Sequence, residues 1–443
     1  MKKLLAILLV AAMAFTMVAC GGAASSAPVT STSDAASSSA EVGSEPVTIR
    51  FCWWGGDSRH EATQKAVDAF MAKYPNITVE TEFGAWTDWE TNVATQIMAG
   101  TAPDLMQINW NWINSYSADG SAFLDLNTVS DILDLSQFPQ DSLAKCVVGQ
   151  NLQSVPVSMT GRIFYWNKTT FDKAGISVPT SLEELMAAGQ TFKTKLGDDY
   201  YPLVAGEYDR MILMTYYLES IYGKDWVVDG KVNYTVDEIQ KGLEWLTSLE
   251  EAHVMPTLKK LAGDGAESID KNQNWIDGHY AGIWEWDSSA SKMTKAAEGQ
   301  EIVVGDFFTD IGEYQGGFTK VSMGFSISAN TKHPAETALL MNFLLNEAEG
   351  VEIMASERGI PVSAIALKTC KEKGLLNEMV AEANGKVMAY SKYNLDPTYE
   401  DAGLKGNPDG VYYKVMSKLS YGEKDAAASA ADLLAGVTEV LEK

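Results

Sequence analysis

The chain of 443 residues is poor in cysteine and histidine, with four of each. Cys52, Cys146 and Cys370 are widely scattered and, with Cys20 set apart, odd in number, so they indicate no disulfide framework. Cys52 falls within a strand pattern and is interpreted as a buried apolar residue. The histidines lie too far apart in the sequence to suggest a metal pair, and we expect no metal or other cofactor.

Basic residues are also few. Lys and Arg together number 34 against 59 acidic residues, which gives a formal net charge of −25. This balance argues against a nucleic acid partner and against binding to an anionic membrane surface through basic patches. Common catalytic signatures are lacking as well, because the sequence has no H-E-x-x-H, no Walker-type lysine loop and no G-x-S-x-G elbow.

The amino terminus has the pattern of an export signal. Two lysines precede an apolar run at 4–19, which is shorter than the about 20 residues of a membrane span, so residues 1–20 are predicted to be a signal peptide. The sequence MVAC at 17–20 resembles the lipobox of bacterial lipoproteins, which predicts lipidation of Cys20. The alternative is an ordinary secretory signal with a chance cysteine. The small, polar residues 21–46 predict a flexible tether.

From residue 47 the sequence alternates between strand and helix patterns. Strands are predicted at 47–54, 77–83 and 103–108, with helical stripes between them. Right-handed crossovers would place these strands in one parallel sheet, so the fold class is predicted to be α/β. Capping boxes that open helices are predicted at Ser58/Glu61, Thr87/Glu90, Ser181/Glu184 and Thr235/Glu238.

Two of the predicted strands end in aromatic, amide and glycine residues. The first passes through FCWWGGDSRH at 51–60, and the third is followed by NWNWIN at 109–114. Ligands of open α/β sheets bind outside the carboxyl ends of the strands, and glycine lets a backbone approach a ligand closely. One of Trp53 and Trp54 is expected in the core and the other near a binding cleft.

The body of the chain resembles the family of bacterial extracellular solute-binding lipoproteins that serve ABC importers of sugars, the group similar to maltodextrin-binding protein. The likeness is carried by the order of several segments, among them QIMAGTAPDLMQI, VPVSMTGRIFYWNKTTFDKAGI, GHYAGIWEWDSS, VSMGFSISANTKHPAETALLMNFLL and SERGIPVS. The resemblance implies two α/β lobes, a hinge that the chain crosses more than once and a ligand cleft between the lobes. The implied amino-terminal lobe is 47–156 plus 318–346, and the implied carboxy-terminal lobe is 157–317 plus 347–443.

The resemblance also implies a set of ligand-binding residues. A sugar site needs flat aromatic platforms together with hydrogen-bonding groups. The residues implied are Trp54, Asp57, Arg59, Trp110, Tyr208, Asp209 and Trp284. For most tryptophans the competing interpretation is a core position, which helical spacing favours for Trp89 and Trp245 and family likeness favours for Trp286.

The function that the resemblance implies is capture of an oligosaccharide by hinge closure and delivery to a membrane permease. The protein is expected to be a monomer held by its lipid anchor at the outer face of the cell membrane and to perform no chemistry. A further hypothesis is that the ligand is a neutral or uronate-containing sugar, with Arg59 as a contact and Arg210 as a second candidate. Alternatives are a membrane-tethered polysaccharide lyase or glycoside hydrolase and a binder of amino acids, peptides or polyamines.

Overall fold

The computed structural model of the protein describes residues 43–85, 89–265 and 268–442. The predicted signal peptide and nearly all of the predicted tether lie outside the described residues. The strands are β1 (Val47–Trp54), β2 (Ile77–Gly84), β3 (Leu105–Asn109), β4 (Val147–Val148), β5 (Asn151–Leu152), β6 (Val155–Thr160), β7 (Arg162–Asn167), β8 (Val227–Val228), β9 (Lys231–Val232), β10 (Gly282–Trp286), β11 (Ile302–Val304), β12 (Phe318–Ile327) and β13 (Tyr393–Asn394).

Helices connect these strands and cover the faces of the sheets. They are α1 (Asp57–Lys73), α2 (Trp89–Met98), α3 (Trp112–Tyr116), α4 (Gln140–Ala144), α5 (Lys168–Ala174), α6 (Leu182–Lys195), α7 (Glu207–Tyr222), α8 (Val236–Glu251), α9 (Leu258–Gly263), α10 (Gln273–Ile276), α11 (Ala290–Ala296), α12 (Pro334–Asn346), α13 (Ala348–Met354), α14 (Ala364–Glu372), α15 (Glu378–Tyr390), α16 (Ala402–Lys405), α17 (Val411–Ser420) and α18 (Ala426–Leu441). In the part of the chain that the structure describes, no helix combines the length and the apolar composition that a membrane span requires.

Two sheets organise the fold. The larger has the order β13-β12-β3-β1-β2, with β6 paired to β12, and the smaller has the order β10-β7-β11. Strand β1 is parallel to both β2 and β3, which confirms the parallel arrangement predicted for the first three strands. Strand β12 is antiparallel to β3 and β6. The predicted α/β class is therefore correct.

Two separate hydrophobic cores correspond to two lobes. The first core draws its residues from 49–157 and 321–354, and the second from 163–318 and 380–437. Cys52 is buried in the first core, as predicted. Met354 of α13 also belongs to the first core, although the predicted carboxy-terminal lobe begins a second segment at residue 347. The residue bounds proposed for the lobes remain a prediction.

The chain passes between the lobes at a hinge. Gly161 is the one residue between β6, in the first lobe, and β7, in the second. A Cβ atom at Gly161 would lie 2.4 Å from the carbonyl oxygen of Phe318, so a side chain does not fit there. Strand β12 crosses between the lobes at the same place. Its first residue, Phe318, belongs to the second core and pairs with β13, whereas its residues from Met323 onward pair with β3 of the first lobe.

The helix starts show which capping predictions were correct. Thr235 and Glu238 form the predicted capping box at the start of α8. The hydroxyl of Ser181 accepts a hydrogen bond from the Glu184 amide as predicted, but the Glu184 carboxylate reaches Thr180 instead of Ser181. The box predicted at Ser58/Glu61 is wrong, because α1 already begins at Asp57 after Gly56. The box predicted at Thr87/Glu90 includes a residue outside the described ones.

Candidate ligand-binding site

The two tryptophans at the end of β1 have different environments. Trp53 is fully buried, stacks on Phe83 with ring centroids 5.0 Å apart, and donates its indole N–H to His60 Nδ1. Trp54 is half-buried, and its ring centroid lies 5.5 Å from that of Trp112. Because successive residues of a strand point to opposite faces, one tryptophan enters the core and the other stays at the sheet edge. Trp54 is therefore the tryptophan of this pair that lies outside the core.

Sequence reasoning missed the group that packs beside Trp54. The indole N–H of Trp112 donates to Glu90 Oε1 at 2.8 Å, and the Tyr116 hydroxyl donates to the same oxygen at 3.3 Å. Burial, Glu90 and then Asp401 raise the pKa of Tyr116 to about 12. Trp112 and Tyr116 form one face of the five-residue helix α3, and a helix this short gives little periodicity from which to predict it.

Trp110 does not form an open platform. Its side chain is 5% exposed within the first core, and its indole N–H donates to the carbonyl oxygen of Lys145 at 2.8 Å. The ligand-platform prediction for Trp110 is thus corrected to a core position. The neighbouring Lys145 ammonium donates to Asn394 Oδ1 across the two lobes. Trp110 therefore supports a residue that connects the lobes.

The prediction for Trp284 is also corrected. Trp284 is 2% exposed, and its ring stacks on Tyr216 and lies against Phe164, with centroid distances of 4.9 and 4.5 Å. It is a residue of the second core, with no face open to a ligand. Trp286, two residues further on, is half-buried at the end of β10. Both residues share one face of a regular strand, so alternation alone could not distinguish them.

Trp286 lies among cations. The Arg162 guanidinium carbon is 4.5 Å from the centre of its ring and the Lys320 ammonium is 4.7 Å away, both within cation–π distance. Arg162 forms ion pairs with Asp209 at 2.8 Å and with Glu285 at 3.3 Å. Burial opposes the charge of Arg162, but Glu285 and Asp209 raise its pKa above the ordinary value. This cation is therefore held charged and in place.

Tyr208 belongs to the same cluster. Its hydroxyl donates to Glu400 Oε1 at 3.0 Å, and Glu400 also forms ion pairs with Lys320 and Lys405. Burial would raise the pKa of Glu400, but the charges of Lys320 and Lys405 hold it below the ordinary value. Tyr208 and Asp209 thus lie together in one network with Trp286 through Arg162, whereas the sequence analysis had favoured a packing role for Trp286. A ligand contact of Tyr208 and Asp209 remains a prediction.

A cavity of about 300 Å³ adjoins this network. Its volume falls at the lower end of the range for small-molecule sites, about 300–1,000 Å³. The residues that line it include Tyr208, Asp209, Glu285, Lys292, Asn407 and Tyr413. Charged, amide and phenolic groups in one cavity can donate and accept hydrogen bonds to several hydroxyl groups of a ligand.

The remaining predicted residues lie at the start of α1. Asp57 is the exposed first residue of the helix. Arg59 is half-buried, and it donates from Nε to the carbonyl oxygen of Glu357 and from Nη1 to that of Trp54, at 3.0 and 3.1 Å. Burial lowers the pKa of Arg59 to about 10. Arg210, the second arginine considered, is instead a core residue paired with Glu250.

The chain belongs to the bacterial extracellular solute-binding protein family, whose model matches residues 56–351. Its structure is similar to that of a periplasmic solute-binding protein from Pectobacterium atrosepticum, with a TM-score of 0.84 and 34% identity, covering 89% of this chain and 99% of the other. It is also similar to a periplasmic oligogalacturonide-binding protein from Yersinia enterocolitica in complex with saturated digalacturonic acid. That match has a TM-score of 0.81 and 33% identity and covers 89% and 98% of the two chains.

Curated relatives match over shorter stretches. A putative binding protein of Brucella abortus is 28% identical over 158 residues, which cover 35% of this chain and 38% of that protein. The alignment therefore spans well under two thirds of the relative. An ABC transporter extracellular-binding protein of Pyrococcus horikoshii is 21% identical over 302 residues, or 63% of this chain and 66% of the other. Together with the two lobes and their hinge, the two structural matches show the two-lobed binding-protein fold.

Proposed function

We propose that the protein is the solute-binding component of an ABC importer and that its ligand is a short oligosaccharide containing uronate residues. The observation that carries the proposal is the combination of half-buried aromatic rings with fixed charged groups. In the first lobe the Trp54 ring packs at a tilt against Trp112. In the second lobe the ring centre of Trp286 lies within 4.7 Å of two cationic groups. A sugar ring presents an apolar face and a rim of hydroxyl groups, and this combination suits both.

The similarity to the oligogalacturonide-binding protein supports the acidic character of the ligand. It extends over 89% of this chain, so it includes both lobes and the hinge. The ligand enters the cleft between the lobes, the lobes close about the hinge at Gly161, and the closed form delivers the sugar to a membrane permease. The sugar is released unaltered.

The carboxylates near Trp286 already have structural partners, which supports a binding role over a hydrolytic one. Glycoside hydrolysis needs two acids placed on either side of the scissile bond. Glu285 is paired with Arg162, and the buried Asp287 accepts hydrogen bonds from Thr160 and Asn384. Recovery of digalacturonate intact after prolonged incubation with the protein is the expected result. A shortened or unsaturated product would support the enzymatic alternative.

A thermal unfolding screen tests the proposal. The purified protein is heated with digalacturonate, a neutral malto-oligosaccharide, free amino acids and a short peptide. A ligand that binds only the native state stabilises it by RT ln(1 + [L]/Kd), about 2.7 kcal/mol at 100 times Kd, and so raises the Tm. We expect digalacturonate to give the largest increase. A response to amino acids or peptide alone would contradict the proposal.

The proposed location is the outer face of the cell membrane, through a lipid on Cys20. Cys20 lies outside the described residues. Replacing it with Ser should release the protein into the soluble fraction or leave an uncleaved precursor. A correctly processed Cys20→Ser protein that stays with the membrane fraction would contradict the lipid anchor.

A further inference from the structure

The five arginines of the chain divide into two groups. Arg50, Arg162 and Arg210 form ion pairs with Glu82, Asp209 and Glu250. Among the described residues, Arg59 and Arg358 form none and donate only to neutral atoms. In a chain of net charge −25, two cations without a paired carboxylate are unexpected, and these two lie in the same place.

A chain of hydrogen bonds connects Arg59 to Arg358. The carbonyl oxygen of Trp54 accepts from Arg59 Nη1 at 3.1 Å and from the Gln107 amide at 3.2 Å. Gln107 in turn accepts from Arg358 Nε at 2.8 Å. Trp54 ends β1 and Gln107 lies on β3, so both guanidinium groups lie near the carboxyl ends of parallel strands, where open α/β sheets bind ligands.

Arg358 has hydrogen-bonding capacity that the described residues do not use. The residue is 4% exposed, and its Nη2 has no partner within the described residues. Its Nη1 donates to the Met354 sulfur at 3.7 Å. Burial and then the charge of Arg59 hold the pKa of Arg358 well below the ordinary value. A buried cation with an unpaired donor is costly for a protein to keep, and a bound anion would offset that cost.

The carboxylate of Glu357 neutralises only part of the positive charge of Arg59 and Arg358. It acts electrostatically on both arginines, and its Oε2 accepts a hydrogen bond from the Ser58 hydroxyl at 2.8 Å. Two guanidinium groups against one carboxylate leave one positive charge. The Arg59 side chain lies over Gly55, where a Cβ atom would be 2.6 Å from Arg59 Cδ, so glycine at this position lets the guanidinium lie against the end of β1.

We propose that Arg59 and Arg358 form the subsite for the carboxylate of one uronate residue, beside the Trp54 ring. This assignment rests on the proposed function and specifies which lobe recognises the acid. Arg59 is half-buried at the rim and donates directly to the carboxylate, while Arg358 stabilises its charge from the interior. Planar guanidinium forks suit carboxylate oxygens better than a lysine point charge does.

The test is calorimetric titration of digalacturonate, its methyl ester and a neutral digalactoside into the wild type and variants. We expect the wild type to bind the acid at least about tenfold more tightly than the ester, because a charge-assisted pair is lost on esterification. Arg59→Met and Arg358→Met should each remove most of that preference without weakening ester binding. Arg50→Met, on the same strand β1 but paired with Glu82, is the matched control and should keep the preference.

The possible results separate this inference from the proposed function. Equal binding of acid and ester by the wild type, or an unchanged preference in both variants, would overturn the carboxylate subsite while sugar binding stands. Binding of none of the three sugars would overturn both proposals. If Arg358→Met does not fold, Arg358→Lys keeps the charge and loses the fork, and it should show a reduced preference. If Arg358→Lys keeps the full preference for the acid over the ester, Arg358 is not part of the subsite.

Discussion

Buried cations differ between two regions of the molecule in whether they form ion pairs. In the network of Trp286 and Tyr208, the cations Arg162, Lys320 and Lys405 are all paired with carboxylates. In the first lobe Arg59 and Arg358 have no ion pair within the described residues. Paired charges fix a structure, whereas an unpaired buried charge costs stability that a ligand can offset. The network of Trp286 and Tyr208 therefore has its charges compensated within the protein, whereas the carboxylate subsite proposed for Arg59 and Arg358 relies on the ligand for its partner.

The largest expected effect distinguishes the tryptophans of the two lobes. Trp284→Ala should lower the free energy of unfolding by about 3–5 kcal/mol, because it removes a buried ring from the second core. Trp54→Ala should cost less stability, because its ring is half-buried, and should weaken sugar binding more. Denaturant unfolding and calorimetry of both variants measure the two effects. An equal loss of stability in both would place Trp54 in the core.

The next largest effect is the difference in stability between a variant that breaks a buried ion pair and a variant that removes an unpaired buried charge. Glu400→Gln should cost about 3 kcal/mol, because it leaves the buried Lys320 without its carboxylate partner. Arg358→Met should cost under about 1 kcal/mol or stabilise the protein, since it removes a buried charge that forms no ion pair with any described residue. Urea unfolding curves give both values. A larger cost for Arg358→Met than for Glu400→Gln would reverse the comparison.

A smaller effect is expected where the lobes join. Gly161→Ala should destabilise the protein by about 1–3 kcal/mol, because its Cβ would lie 2.4 Å from the Phe318 carbonyl oxygen. Gly385→Ala in α15 is the control, since a Cβ there meets nothing within 4 Å and should stabilise the helix by about 0.4–1 kcal/mol. If thermal unfolding shows equal shifts in both variants, the hinge has more space than the structure indicates.

The smallest expected effect is a dependence of stability on pH. Burial raises the pKa of Asp287 from 3.8 to about 6, although hydrogen bonds from Thr160 and Asn384 oppose the shift. The folded state then binds this proton more tightly than the unfolded state, so the contribution of Asp287 to stability falls as pH rises from about 4 to 6 and is constant above. As pH rises across this range, the Tm of Asp287→Asn should decrease less steeply than the Tm of the wild type. If the curves of Tm against pH are parallel for the two proteins, Asp287 is not the source of the pH dependence.

Part of the candidate site was predictable from the sequence. The pattern at 47–108 correctly predicted three parallel strands. The resemblance singled out Tyr208 and Asp209, which line one cavity of the structure, and their contact with a ligand remains a prediction. The tryptophans were less predictable. Trp284 and Trp286 share a strand face, and only the packing of Phe164 and Tyr216 makes the first a core residue.

The sequence by itself determined the secondary structure of the first lobe and the low content of basic residues, because both follow from local pattern and composition. Only the tertiary structure decided which cations are paired. Arg59 and Arg358 are 299 positions apart in the chain, and nothing in either segment indicates that Gln107 connects them. Ion pairing depends on distance in space, which a folded sheet sets between residues far apart in sequence.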